Sequence, residues 1–157
     1  MANGAEARLA ELGIELPEAM GAKGNYAPCT RAGNTVFIAG QGPFWKGEIL
    51  HNGRFGDGLE VEEGIACARL VGLNILTQLR VACGGSLDPV VRCVKLGGFV
   101  QCTPDFTDMH KIINGASDLM VEVLGEAGKH ARFAVGMQTL PMGTSVEIDG
   151  IFEIDAN

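Results

Sequence analysis

Arg132 opens the segment ARFAVGMQTL, an otherwise apolar run. A guanidinium keeps its charge at physiological pH and offers N–H donors in a planar fork. It can therefore hold a carboxylate through two parallel hydrogen bonds. Strand alternation groups Arg132 with Ala134, Gly136 and Gln138, and sets Ala131, Phe133, Val135 and Met137 on the other side. The bulkier set is expected to face the core. Arg132 is then expected on the non-core face, beside very small side chains, with room for a small anion. The alternative is an ion pair with Glu147, Asp149 or Glu153, which share one face of the last strand.

Other residues offer complementary chemistry. Glu147 lies opposite Val146 and Ile148 in strand parity. It can orient a water or move a proton if its face lines a cleft, or it can be a solvated strand carboxylate. Tyr26 is the only tyrosine; its hydroxyl can donate to a bound anion, or the ring can pack on the surface. Gly40-Gln41-Gly42-Pro43 ends a strand with backbone that a ligand can approach closely. This Gly-x-Gly does not read as a dinucleotide fingerprint, because no helix follows it directly. Asn114 falls inside a helix, where its amide reaches a cleft or faces water. His51, His110 and His130 are scattered singly. No carboxylate or cysteine stands at ligand spacing, so no metal is expected. Cys102 near a loop lacks an evident positive partner that would activate its thiol.

These residues need elements to hold them. The opening AEARLAELGI has the spacing of a short helix ending at Gly13, followed by a Pro- and Gly-rich linker. Residues 1–23 thus read as an N-terminal helix and linker ahead of a single domain over 24–157. A hairpin turning at Ala32-Gly33-Asn34 comes first. Phe44 to Gly58 reads as loop, with a possible short strand around Glu48 to His51. Phe44, Trp45 and Phe55 there can wall a cleft or pack against other subunits. LEVEEGIACARLVGLNILTQLRVACGG is the clearest helix, with acidic residues in its first turns where the helix dipole favours them. VVRCVKLGGFVQC is a strand apolar on both faces, which points to burial on both sides. A second helix runs toward Gly125–Gly128, and a final hairpin joins two strands around Pro141–Thr144. The class is α+β: one mixed sheet with two helices packed on one face.

Composition narrows the function. The chain of 157 residues is 46% hydrophobic and 20% charged, an ordinary globular mixture. A formal net charge of -7 repels phosphate backbones, so nucleic acid is a poor partner. Five cysteines form no two-residue-spaced pair and read as small buried thiols of a reducing compartment. The N-terminus lacks a basic start followed by an apolar run, and no apolar segment is read as membrane-spanning. A cytoplasmic location is expected.

Several motifs together resemble the RidA family (reactive intermediate deaminase, YjgF-like, also labelled endoribonuclease L-PSP). They are GNYAP with Tyr26, AGNTVFIAGQGP with Gly40 and Gln41, and ARFAV followed by LPMGTSVEIDGIF, with Arg132 and Glu147. The resemblance implies a chorismate-mutase-like fold whose sheets form a barrel in a homotrimer, with a cleft at each subunit interface. It implies hydrolysis of small enamine or imine carboxylates to 2-keto acids and ammonia, without cofactor or metal. Arg132 would hold the substrate carboxylate and Glu147 would handle the attacking water. Tyr26 would reach in from a neighbouring subunit, and Gly40, Gln41 and Asn114 would help line the cleft. Two positions depart from the family pattern: Ala134 stands where many deaminases carry cysteine, and Ala39 where many carry serine. The alternatives are a non-catalytic trimer that binds small carboxylates and, disfavoured by the acidic charge, an endoribonuclease.

Overall fold

The computed structural model describes residues 4–155. Helix α1 (Ala5–Leu12) stops where the sequence says it should, with Gly13 in the left-handed region at φ 63°. Leu9 is buried, and the following segment is tied to the next helix. Thr77 Oγ1 donates to Pro17 O at 2.9 Å and Gln78 Nε2 to Met20 O at 2.7 Å. Strands β1 (Cys29–Ala32) and β2 (Thr35–Gln41) form the expected hairpin, with Gly33 at φ 59°. The stretch read as loop, with a possible short strand around Glu48 to His51, holds two miniature ladders, and a strand does fall at Glu48–Ile49. One pairs β3 (Phe44–Trp45) with β4 (Glu48–Ile49), and the other pairs β5 (Arg54–Phe55) with β6 (Gly58–Leu59). Lys46 and Gly47, both at positive φ, make the tight turn of the first.

Helix α2 (Val61–Ala82) begins with a capping box in which Glu60 and Glu63 satisfy each other's backbone N–H groups. After it come β7 (Val90–Gln101), α3 (Met109–Leu124), a 3-10 turn at Gly125–Gly128, β8 (Ala131–Met137), a second turn at Pro141–Gly143, and β9 (Val146–Ile154). The main sheet has the order β1-β2-β9-β7-β8. The β7–β8 pair is parallel and the others antiparallel, so the sheet is mixed as expected. Helices α2 and α3 cover one face. Val71, Ile75, Leu76 and Leu79 from α2 meet Ile113, Ala116, Leu119 and Met120 from α3 over Ile38, Leu96, Val100, Ile148 and Phe152 of the sheet. By length and composition α2 also qualifies as a membrane span, against the sequence reading, but 61% of its apolar window is buried inside this fold.

Two expectations fail together. Strands β8 and β9 do not form a hairpin, because β7 lies between them. The alternation along β8 is as read, but the faces are reversed. Arg132 pairs with Leu96, a fully buried core residue, and so lies on the helix side. Ala134 packs against the core. Phe133 instead joins Phe99 edge-on on the opposite face, ring centroids 5.3 Å apart. The cause is steric. Cys102 and Met109 press against Gly136, and Ile113 against Gly98, so small residues there make room for buried neighbours. The other face is apolar too, with Phe37 at 42% and Val135 at 39% relative exposure. Among the described residues no layer covers it.

The α2–α3 contact fixes where α3 sits. Gly115 lies directly against the backbone carbonyl of Ile65, and a Cβ on Gly72 would press on Ala116 and Leu119. Gly115→Ala is therefore expected to lower stability by about 2–3 kcal/mol through forced separation of the helices. Urea denaturation should show a lower midpoint at unchanged slope.

Candidate active site

Arg132 sits at the start of edge strand β8 and reaches onto α3. Its Nη1 donates to Asn114 Oδ1 at 2.8 Å and to Ser117 Oγ at 3.1 Å, and its Nη2 donates to the His110 carbonyl at 3.2 Å. Asn114 and Ser117 are three residues apart and share one face of α3, while Gly115 and Ala116 between them pack onto α2. One short stretch thus both docks the helix and grips the arginine. Among the described residues no carboxylate forms an ion pair with Arg132, so the alternative of a pair with Glu147, Asp149 or Glu153 is not realised. Three hydrogen bonds to neutral oxygens engage both terminal nitrogens, and Nε donates to no partner among the described residues. The guanidinium keeps its full charge and spare donor capacity for an anion.

Tyr26, Gly40, Gln41 and Glu147 gather elsewhere, in a cleft of about 420 Å³ between the β2–β9 end of the sheet and the Met20–Lys23 segment. The β2–β9 register slips between Ile38 and Gln41, a bulge that brings Gly40 up against Glu147. A Cβ at position 40 would collide with the Glu147 carboxylate, so glycine there lets the carboxylate keep its place. Tyr26 is more than half exposed, and its Oη accepts from the Lys23 backbone N–H at 3.4 Å, which leaves its own proton free to donate. Gln41 is spent on structure, its Nε2 donating to Ala39 O at 2.9 Å. Phe44 lines the cleft, with the Lys23 ammonium 5.1 Å from its ring centroid. Phe55 belongs to the core and Trp45 is not among the cleft residues, so of the three aromatics that could have walled the cleft only Phe44 does. Burial, and secondarily the neighbouring Asp149, push the Glu147 carboxyl above its ordinary range. A carboxyl so placed exchanges protons nearer neutrality than a solvated one.

The expected site residues therefore form two groups: Arg132 with Asn114, and Glu147 with Tyr26, Gly40 and Gln41. Within one chain they occupy opposite faces of the sheet. The sequence reading gave no part to Ser117 or His130, although Ser117 follows Asn114 by one helical turn and His130 shares strand parity with Arg132. Cys102 does have a positive neighbour, Arg54, but burial outweighs it and holds the thiol up. Cys67 and Cys93 are pushed up to about 12 by burial, as befits packing residues. Among the described residues no three His, Cys, Asp or Glu side chains gather into a metal site.

This fold and these two groups have relatives. The family described as "YjgF/chorismate mutase-like, putative endoribonuclease" matches residues 6–152, and the chain belongs to that YjgF (RidA) family. It is 41% identical to Protein TCP17 of Trypanosoma cruzi over 95% of this chain and 93% of that one. The crystal structure of Atu1372 from Agrobacterium tumefaciens, a protein of unknown function, superposes with a TM-score of 0.88 at 46% identity, covering 96% of this chain and 94% of the other. The structure of E. coli TdcF with bound serine matches with a TM-score of 0.64 at 28% identity, covering 90% and 98% of the two chains.

The raised Glu147 has a thermodynamic signature. Its folded-state carboxyl titrates above the ordinary value of 4.5, so the folded chain holds more protons than the unfolded one just above that pH. The stability linked to this group is complete below pH 4.5 and is lost as pH rises through the folded value. Glu147→Gln is expected to be more stable than the parent at pH 7, with the difference vanishing below 4.5. Denaturant titrations of both proteins across that range provide the check.

Proposed function

We propose that this protein hydrolyses small imine or enamine carboxylates to 2-keto acids and ammonia. The observation that carries the reading is Arg132, oriented by neutral oxygens and without an acidic partner among the described residues. A guanidinium held this way fits the carboxylate that every 2-imino acid bears. That TdcF, a similar protein, was solved with bound serine agrees with a ligand of this size and charge.

Glu147 supplies the second function. An iminium carbon is already electrophilic, so the reaction needs a positioned water and a group that takes its proton. Water adds to the C=N carbon as Glu147 accepts one proton, giving a carbinolamine. Glu147 returns that proton to nitrogen and takes the hydroxyl proton as the C–N bond breaks, so the carbonyl forms as ammonia leaves; this last proton then passes from Glu147 to ammonia, which departs as ammonium. No net oxidation occurs and no cofactor is consumed. Tyr26 Oη is free to donate to the substrate from the cleft wall.

Arg132 and Glu147 lie on opposite faces of one sheet, so a complete site brings together the Arg132 group of one copy and the Glu147 cleft of the next. We assign the uncovered apolar face of Phe37, Phe99, Phe133 and Val135 to packing between copies in a homotrimer. Ribonuclease activity fits poorly, because a net charge of -7 opposes RNA binding.

The test is ammonia release from 2-iminobutanoate generated in situ. The parent should accelerate it. Arg132→Ala should lower the rate by about 100-fold or more, and Glu147→Ala by about 100-fold with ligand affinity largely retained. Sedimentation should give a particle of three chains. Equal rates with and without protein sink the enzymatic reading. Arg132-dependent binding of 2-ketobutyrate in that case would establish a carboxylate-binding module instead.

A further inference from the structure

One of the oxygens that hold Arg132, Ser117 Oγ, is itself held by a further hydrogen bond to His130. We propose that Ser117 and His130 are positioning residues that hold the guanidinium in a fixed orientation for an incoming carboxylate. The inference rests on Arg132 being the carboxylate anchor.

Each link has a fixed direction. His130 Nδ1 lies 2.6 Å from the Gly128 carbonyl, which can only accept, so Nδ1 carries the proton. Burial first, and then the charge of Arg132, hold the ring neutral against the opposing pull of the Gly128 bond. In a neutral ring Nε2 is then an acceptor. It stands 2.9 Å from Ser117 Oγ and takes the hydroxyl proton. The Ser117 oxygen thereby turns its lone pairs toward Arg132 Nη1, 3.1 Å away. The chain ends on firm backbone, because Gly128 lies so close to the Met120 carbonyl of α3 that no Cβ would fit there.

The relay is neutral throughout. A carboxylate at Ser117 would orient Arg132 as well but would compete with the ligand for its charge. A hydroxyl unsupported by His130 could rotate and offer its proton toward the guanidinium, which needs an acceptor. The imidazole removes that freedom. An unbuttressed arginine would have to be ordered by the ligand itself, which weakens binding.

The experiment is calorimetric binding of 2-ketobutyrate to the full chain. Ser117→Ala and His130→Ala should each raise Kd about tenfold, as expected for loss of a hydrogen bond to a charged group. Ser117→Thr should restore the parent Kd. The double variant should be no worse than either single one, and Ser117→Ala should have no further effect in an Arg132→Ala background. An unchanged Kd, additive losses, or failure of threonine to rescue would overturn the relay while leaving the anchor standing. Absence of any Arg132-dependent binding by the parent would overturn both. Should His130→Ala not fold, the Ser117→Ala and Ser117→Thr pair decides the matter alone.

Discussion

A cation held only by dipoles is the constraint around which this molecule is arranged. Three neutral oxygens fix the direction of Arg132, and none cancels its charge. Neutral partners leave the electrostatic attraction for an anion in place while removing much of the entropy its capture would otherwise cost. The arrangement requires that α3 present its oxygens at a fixed height over β8. Any slack between helix and sheet would convert an oriented fork into a mobile surface arginine.

That height is set by glycine. The close approach at Gly115 and Gly72 locks α3 against α2, and the sheet packs beneath both. The NGAS stretch over 114–117 therefore reads as two interleaved patterns. Its outer members hold the arginine, and its inner members have almost no side chain because another helix occupies that space. The Glu147 side follows the same economy. A bulge and a glycine place the carboxylate, and burial rather than a dedicated partner raises its proton affinity.

Much of this was legible in the sequence, and the misreadings share a physical cause. Capping residues, turn glycines and periodicity located α1, α2, α3 and the first hairpin, because these are local signals. The candidate site residues stood out by their motifs. Strand pairing did not, since it is settled by non-local contacts: β9 inserts between β2 and β7, leaving β8 at the edge. The face of Arg132 was misjudged because both faces of the sheet are apolar, so hydrophobicity could not say which one the helices cover. Ala134 and Gly136 resembled space left for a ligand, yet they accommodate core side chains. Ser117 and His130 carried usable spacing, but a lone serine and a lone histidine announce nothing until they are seen in line behind Arg132.

The division of the site across the two faces of one sheet has a genetic consequence. On the proposed assembly, damage at Arg132 and damage at Glu147 are borne by different copies meeting in one cleft. Two inactive alleles, one altered in each half, would then complement when their products mix, since some clefts receive an intact half from each. A single defective allele would be diluted rather than dominant, provided its chain still folds and assembles.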